Sequence, residues 1–224
     1  MNKELDIAAL ESLSFAKNYN SYVYGLILQN IKSHEIMDFG AGYGSFSGYL
    51  KDIGKKVVTV EVNEHAIKKL NQLNLVNFKN LKDLPEKYGT IVSLNVLEHI
   101  DDDLGTLKEL ASYLKSDGRI ILYLPSSKLI WSELDELVNH KRRYSRKLIK
   151  ELSRNSDLKI DKIFSVDFVG WLTVLVSKVL RINLDFNKNR IIFYDRFIFK
   201  NLKFLDLLFK KIIGKNLLIV LSKK

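Results

Sequence analysis

Short runs of β-branched and aliphatic residues alternate with helical patterns of apolar residues between positions 34 and 125. This alternation is typical of βαβ units, in which successive strands lie parallel in one sheet. The pattern predicts strands at residues 35–39, 56–61, 76–79, 90–95 and 119–124. Helices are predicted at residues 15–31, 45–53 and 64–73, and an apolar stripe at positions 104, 107, 110, 111 and 114 predicts another. Asp117 and Gly118 should then turn the chain into the fifth strand.

The C-terminal part of the chain completes the predicted sheet. A helix capped by Ser145 is predicted through residue 152, followed by strands at residues 158–166 and 217–221. The fifty residues between those two strands are too many for an ordinary loop and predict two helices, at residues 168–182 and 196–213. We therefore predict one Rossmann-like α/β domain over residues 1–224, with a mostly parallel seven-stranded sheet, helices on both faces and a helical insertion at about 168–213.

Composition excludes several classes of protein. The chain has no Cys and only four scattered His, so neither a disulfide framework nor a metal site is predicted. Glu4, Asp6 and Glu11 do not fit the basic start of a signal peptide. The longest charge-free apolar stretch, residues 168–177, falls well short of the ~20 residues of a membrane-spanning helix. A cytoplasmic protein is the expectation.

Positive charge is concentrated in the C-terminal part. Residues 141–224 contain 21 Lys and Arg against 7 Asp and Glu, whereas residues 1–140 contain 15 against 19. This asymmetry indicates either an anionic partner, such as phosphate, nucleic acid or a membrane surface, or a solvated lysine-rich face.

The strongest chemical signal is the segment IMDFGAGYGSF, where an apolar strand opens into three glycines before a helix. Glycines at such a turn let a ligand approach main-chain N–H groups at the helix N-terminus. The spacing is Gly-x-Gly-x-Gly and not the Gly-x-Gly-x-x-Gly of dinucleotide sites. Asp38, just before the glycines, would repel a pyrophosphate but suits a ligand with an ammonium group and a sulfonium. Glu61, at the end of the second strand, suits the two hydroxyls of a ribose. The pattern favours S-adenosylmethionine (SAM) over NAD.

The chain resembles class I SAM-dependent methyltransferases in four segments, DFGAGYG, VEVNE, SLNVLEHIDDD and NHKRRY. The resemblance is to the group often found with bacterial and archaeal glycan-biosynthesis pathways, and GKNLLIV suits the last strand of that family. It implies SAM as the cofactor. The implied cofactor-binding residues are Asp38, Gly40, Ala41, Gly42, Gly44, Glu61, Val62, Asn80, Leu81, Asn95 and Val96. One departure concerns adenine: the acidic residue that usually follows the third strand is replaced by Asn80, Leu81 and Lys82, with Asp83 slightly later.

Two segments follow the fourth and fifth strands and should flank the acceptor. His99 is a candidate base because imidazole titrates near neutrality, although Glu98 and His99 equally suit a role in fixing their loop. His140 and Tyr144 are further candidates for proton transfer. Trp131, Arg142 and Arg143 are candidates for binding the acceptor, with a solvated charged face as the alternative. A core or edge-covering role is expected for Tyr19 and Tyr22.

These residues predict an enzyme that transfers a methyl group from SAM. Neither an Asn-Pro-Pro-Tyr signature nor a Cys nucleophile is present, which favours an oxygen acceptor on a small molecule, saccharide or lipid-linked glycan. Two alternatives stay open, an RNA methyltransferase and a non-catalytic SAM-binding partner protein. The sequence shows no appended RNA-binding motif, which argues against nucleic acid as a partner. The basic C-terminal helices leave open a peripheral contact with an anionic membrane.

Overall fold

The computed structural model describes residues 14–182, 184–185 and 187–224 and contains one seven-stranded sheet. The strands are β1 (Glu35–Phe39), β2 (Lys56–Val60), β3 (Val76–Phe78), β4 (Tyr88–Leu94), β5 (Leu114–Pro125), β6 (Leu158–Val166) and β7 (Asn216–Lys223). Their order in the sheet is β3-β2-β1-β4-β5-β7-β6. Neighbouring strands are parallel except that β7 runs antiparallel to both β5 and β6. The predicted fold class, a mostly parallel Rossmann-like sheet of seven strands, is confirmed.

Helices connect and cover these strands. They are α1 (Lys17–Leu28), α2 (Ser45–Asp52), α3 (Glu64–Gln72), α4 (Asp103–Ser112), α5 (Glu133–Leu137), α6 (Arg146–Asn155), α7 (Phe168–Val179), α8 (Lys188–Phe193), α9 (Lys200–Leu202) and α10 (Leu205–Phe209). Short 3₁₀ turns at Leu81–Asp83, Leu97–His99 and Lys128–Ile130 follow three of the strands. Within the described residues, no helix combines the length and the apolarity needed to cross a membrane.

Two apolar clusters, one on each face of the sheet, form the core. One contains Tyr144, Leu152 and Leu158 with the inner side chains of β4, β5 and β7. The other contains Ile27 of α1 and Phe46 of α2 with the opposite faces of the same strands. Central parallel strands are covered on both sides and therefore read as continuous apolar runs. This is why the predicted bounds of β1 agree with the structure; the predicted bounds of β6, an antiparallel edge strand, agree as well.

The helix predicted to include position 114 ends earlier than expected. Helix α4 stops at Ser112, and Leu114 instead pairs with Tyr88 as the first residue of β5. The register then shifts, because the next pair is Thr90 with Arg119, so residues 115–118 bulge out of the ladder. The Asp117–Gly118 turn lies inside this bulge. The helical spacing of apolar residues was misleading at position 114, because a strand buries the side chain of Leu114 as completely as a helix would.

The single helix predicted at residues 196–213 is also wrong. A π-helical turn at Tyr194–Phe199 joins α8 to α9, and α10 is a separate short helix. Two buried carboxylates in this region turn inward and bind the N-terminal ends of other helices. Such tertiary partners can override the regular amphipathic pattern that the sequence presents.

Asp195 and Asp206 are those two carboxylates. Asp195 accepts hydrogen bonds from the backbone N–H groups of Asn18 and Tyr19, at 2.9 and 2.8 Å, at the start of α1. Asp206 accepts the backbone N–H groups of Asp167 and Phe168, both at 2.7 Å, at the start of α7. Helix N-termini favour negative charge, so these contacts fasten the C-terminal helices to the rest of the fold.

A second contact reinforces this attachment. The hydroxyl of Tyr22 donates to Asp206 at 3.0 Å, and the hydroxyls of Tyr19 and Tyr123 lie 2.7 Å apart. The side-chain amide of Asn216 donates to both of these hydroxyls. The tyrosines of α1 therefore have the core role that the sequence suggested.

Replacing Asp206 should destabilise the fold. In Asp206→Ala, two backbone N–H groups and the Tyr22 hydroxyl lose their acceptor, and each unsatisfied buried donor costs about 1–3 kcal/mol. We expect the free energy of unfolding in urea to fall by about 3 kcal/mol. Asp117→Ala, at an exposed position, should change it by less than about 0.5 kcal/mol. Equal losses in both variants would contradict the capping role.

Candidate functional site

The glycine loop between β1 and α2 forms the first part of the site. Gly40, Gly42 and Gly44 all have positive φ, at 75°, 52° and 75°, a region that side chains disfavour. A Cβ atom built on Gly40 would lie 2.3 Å from Cγ2 of Val96, so only glycine fits there. No side chain caps the N-terminus of α2. The loop thus brings exposed main-chain groups close to the segment that follows β4.

Glu61 follows β2 and lies against this loop. Its Oε2 accepts the backbone N–H of Gly42 at 2.8 Å, and its Oε1 accepts those of Val62 and Asn63, both at 2.8 Å. A carboxylate has about four acceptor positions, so one remains for a ligand hydroxyl. Glu61 therefore shapes the loop in addition to any contact with a ribose, a role that sequence reasoning missed.

Asp38 is buried at the end of β1. It accepts a hydrogen bond from the hydroxyl of Ser47 at 2.5 Å, which ties the strand to α2. Burial, with a smaller contribution from the charge of Glu61, raises the pKa of Asp38 to about 7, although the Ser47 hydrogen bond acts in the opposite direction. Asp38 thus keeps its proton to a higher pH than an exposed carboxyl group does.

The other predicted cofactor residues lie along the same edge of the sheet. Ala41 is half-buried in the loop, and Val62 is exposed beside Glu61. The side-chain amide of Asn80 donates to Asp83 at 2.9 Å across a 3₁₀ turn, which brings the displaced acidic residue back beside Asn80.

Two further cofactor candidates differ in burial and backbone geometry. Leu81 is buried in the core. Asn95 has a positive φ of 53°, and its backbone N–H donates to the carbonyl of Tyr123.

The turn Leu97–His99 and the segment around His140 form the second part of the site. Nδ1 of His140 lies 2.7 Å from Oδ1 of Asp135, and Nε2 lies 3.7 Å from Oε1 of Glu98. The rings of His99 and His140 meet edge to face with centroids 4.9 Å apart. Glu98 is fully buried, and burial raises its pKa to about 8. Two of the four histidines that look scattered in the sequence are therefore neighbours.

Asp135 organises this second part. Arg143 donates to its two oxygens at 2.8 and 3.0 Å and to the carbonyl of Ser126 at 2.9 Å. Burial alone would raise the pKa of Asp135, but the hydrogen bonds from His140 and Arg143 lower it to about 2. Sequence reasoning missed this role of Asp135; the spacing of Ser132 and Asp135 at the start of α5, a capping-box pattern, is the signal that could have drawn attention to the residue.

A cleft of about 300 Å³ lies beside this network. It is lined by Lys128, Trp131, Lys141, Arg142 and Arg143. All three residues predicted to bind the acceptor thus line one cleft.

Most of the charge around this cleft is already paired. Lys141 forms an ion pair with Asp101, and Arg142 one with Asp103 at 2.8 Å. Arg143 is the buried partner of Asp135.

Tyr144 lies in the core and not among the residues that line the cleft. Its hydroxyl donates to Asp103 at 2.9 Å. Burial and the charge of Asp103 raise the pKa of Tyr144 well above its usual value of 10. The phenol therefore keeps its proton at neutral pH.

The sheet and the glycine loop define a Rossmann-like fold, and proteins with this fold bind their ligands at the carboxyl edge of the sheet. A family profile described as a methyltransferase domain matches residues 15–163. The chain belongs to this methyltransferase domain family. The predicted family and enzyme class are thereby confirmed.

Individual relatives are more distant. The tRNA U34 carboxymethyltransferase of Campylobacter hominis is 29% identical over 104 residues, which cover 42% of this chain and 36% of that protein. The chain thus matches little more than a third of that relative's length. An uncharacterized protein of Methanocaldococcus jannaschii is 30% identical over 97 residues, covering 42% of each chain.

Solved structures share the fold along most of the chain. A SAM-dependent methyltransferase of Thermotoga maritima, described as a possible histamine N-methyltransferase, superposes with a TM-score of 0.64 at 15% identity and covers 94% of this chain and 92% of its own. Magnesium protoporphyrin IX methyltransferase of Synechocystis PCC 6803, solved with bound SAM, gives 0.54 at 15% identity, covering 98% and 82%.

The raised pKa of Asp38 predicts a pH-dependent stability. The folded protein holds this proton up to about pH 7, whereas the unfolded chain releases it near the ordinary value of 3.8. Between these values the folded state binds more protons, so the free energy of unfolding should fall as pH rises from about 4 to about 7.

Asp38→Asn keeps an acceptor for Ser47 and should flatten that part of the slope. Urea unfolding at pH 5, 6, 7 and 8 measures it in both proteins. Parallel curves for the wild type and the variant would show that Asp38 ionises normally in the folded state.

Proposed function

We propose that the chain is a SAM-dependent methyltransferase that methylates an oxygen atom of a small-molecule, saccharide or lipid-linked acceptor. The observation that best supports SAM as the cofactor is the glycine loop held between Glu61 and Val96. A Cβ on Gly40 would fill the space of Val96, and Glu61 keeps one acceptor position available. These features fit an adenosyl ligand that approaches main-chain atoms closely.

The residues at the strand ends have separate tasks in this proposal. Glu61 would accept a ribose hydroxyl, Asp38 would support the loop under the methionine end, and Asn95 and Val96 would contact the cofactor through their backbone. Asn80 and Asp83 would meet the adenine. Bound SAM would supply an electrophilic methyl group on a sulfonium that is already a good leaving group.

The main task of the protein is then to align the acceptor. Correct positioning alone can supply ~7 kcal/mol or more of barrier lowering. The cleft beside His140 supports this task because Trp131 and Lys128 line it on a different segment from the glycine loop. The ion pairs of Lys141, Arg142 and Arg143 leave little uncompensated charge for a nucleic-acid backbone, which favours a small or saccharide acceptor over RNA.

A turnover screen with labelled SAM tests the proposal. The acceptor panel would contain free saccharides, lipid-linked saccharides, small hydroxylated compounds and tRNA. Label on an oxygen of a non-nucleic acceptor is the expected result. Label in tRNA alone would support the RNA reading that the similarity to the Campylobacter enzyme motivates. SAM binding without label in any acceptor would support the non-catalytic reading.

Cofactor binding should depend on the loop and on Glu61. Calorimetry should detect SAM and its demethylated product in the micromolar range. Gly42→Val and Glu61→Ala should each weaken binding at least tenfold, or ~1.4 kcal/mol. Glu86→Ala, an exposed carboxylate that pairs with Lys56 far from the loop, is the matched control. Preferential binding of NAD would contradict the assignment.

We also propose that the helices between β6 and β7 contact an anionic membrane surface. Thirteen of the nineteen large apolar side chains that the described part of the chain leaves exposed lie between residues 172 and 212. Residues 168–213 carry nine Lys and Arg against three Asp, and two of those aspartates, Asp195 and Asp206, are buried. A segment that combines exposed apolar side chains with an excess of cations suits the interface of anionic lipids.

This surface adjoins the acceptor cleft. Trp171 of α7 donates from its indole nitrogen to the hydroxyl of Ser127 at 3.0 Å, and Lys178 donates to the carbonyl of Leu129 at 3.1 Å. Both contacts lie on the segment that contributes Lys128 to the cleft. A lipid-linked acceptor would thus reach the cleft from the same side as the membrane.

Co-sedimentation with vesicles tests the membrane contact. The protein should bind vesicles of anionic lipid at low salt and be released by high salt. Leu208→Ser, at a position 67% exposed, should weaken binding about tenfold because a buried Leu side chain contributes about 1.5–3 kcal/mol. Val76→Ser, 57% exposed on β3, is the matched control. Protein that stays in the supernatant with anionic vesicles at low salt would exclude the contact.

A further inference from the structure

Glu98 is a carboxylate that the described fold encloses without a hydrogen-bond partner. Its side chain is fully buried, and neither carboxylate oxygen has a hydrogen-bond partner among the described residues. Removing a carboxylate from water without a partner costs several kcal/mol, so such groups usually meet a cation or keep a proton. The groups that face Glu98 therefore indicate what it is built to bind.

Two imidazoles face this carboxylate. Nε2 of His140 lies 3.7 Å from Oε1 of Glu98, and the ring of His99 contacts that of His140. One ligand atom from each of the three residues lies within 4.8 Å of the other two. Bonds of about 2.0–2.2 Å to a tetrahedral ion place ligand atoms about 3.4 Å apart. Small side-chain rotations would bring the three atoms to that spacing.

The outer contacts of His140 match those of a metal ligand. Histidines that bind metals usually donate their other ring N–H to a carboxylate, which fixes the ring and directs its lone pair to the ion. Asp135 lies 2.7 Å from Nδ1 of His140 and is itself held by Arg143. With Nδ1 protonated toward Asp135, Nε2 carries the lone pair that points to Glu98.

We propose that Glu98, His99 and His140 bind a divalent transition-metal ion of the Zn²⁺ class. Two nitrogens and one carboxylate oxygen are a ligand set that such ions take, and three protein ligands leave a fourth position for water or another oxygen ligand. Asp135 is a positioning residue that acts through His140. The ion site adjoins the cleft of the proposed acceptor, and only this functional relation rests on the proposed function.

Zinc binding to the full chain, without an affinity tag and freed of metal by chelation, tests the site. Calorimetry with Zn²⁺ should give one ion per chain with a micromolar or lower Kd. Glu98→Gln, which keeps the side-chain shape, and His140→Ala should each weaken binding at least tenfold. His65→Ala, at an exposed histidine on α3, should leave it unchanged. Circular dichroism would verify that each variant folds.

Cobalt substitution gives a spectroscopic readout, and this readout would not change if Glu98 had only a structural role. Co²⁺ should produce visible absorption bands of a four-coordinate site in the wild type and in His65→Ala, and these bands should be lost in Glu98→Gln. Asp135→Asn should weaken Zn²⁺ binding 10–100-fold without abolishing it. Absence of stoichiometric binding, or equal losses in His65→Ala and His140→Ala, would overturn the inference.

The metal site and the proposed function can be contradicted independently of each other. SAM affinity measured in the presence of chelator tests the cofactor site alone. SAM binding without Zn²⁺ binding would overturn the metal site and leave the proposed function standing. Zn²⁺ binding in a chain that does not bind SAM would overturn the proposed function and support the metal site.

Discussion

The buried carboxylate of Asp135 is the interaction on which the His140 side of the site depends. It accepts hydrogen bonds from Nε and Nη2 of Arg143 and lies against Nδ1 of His140. Arg143 in turn holds the carbonyl of Ser126, just after β5. Without this carboxylate, a cation would be left buried without a partner, which is strongly destabilising. One side chain therefore fixes the direction of His140 and joins the cleft wall to the sheet.

The turn that follows β4 connects the two halves of the site. Val96 lies against Gly40 of the glycine loop, and two residues later Glu98 faces His140. A parallel sheet brings its strand ends to one edge, so a single short turn lies between the predicted cofactor loop and the cleft of the proposed acceptor. Substitutions in this turn should therefore affect both functions, whereas those in Glu61 or in Trp131 should separate them.

The helices between β6 and β7 combine firm anchoring with an exposed apolar surface. Asp195 and Asp206 point inward and cap α1 and α7, which ties the C-terminal helices to the N-terminal helix. The apolar side chains on the outer side of the C-terminal helices remain exposed, as Leu207 and Leu208 illustrate. Buried polar contacts thus hold the segment in place without using its apolar face, which leaves that face available to a partner.

Sequence alone determined the features that depend on neighbouring residues. The bounds of β1 follow from a short apolar run, and the glycine loop follows from the close turn it must make. Tertiary structure alone decided that Leu114 leaves its helix for β5, that the segment after Tyr194 breaks into short helices, and that Glu98 meets His140. Such outcomes depend on strand order and on buried charges finding partners far along the chain, and local periodicity carries no information about either.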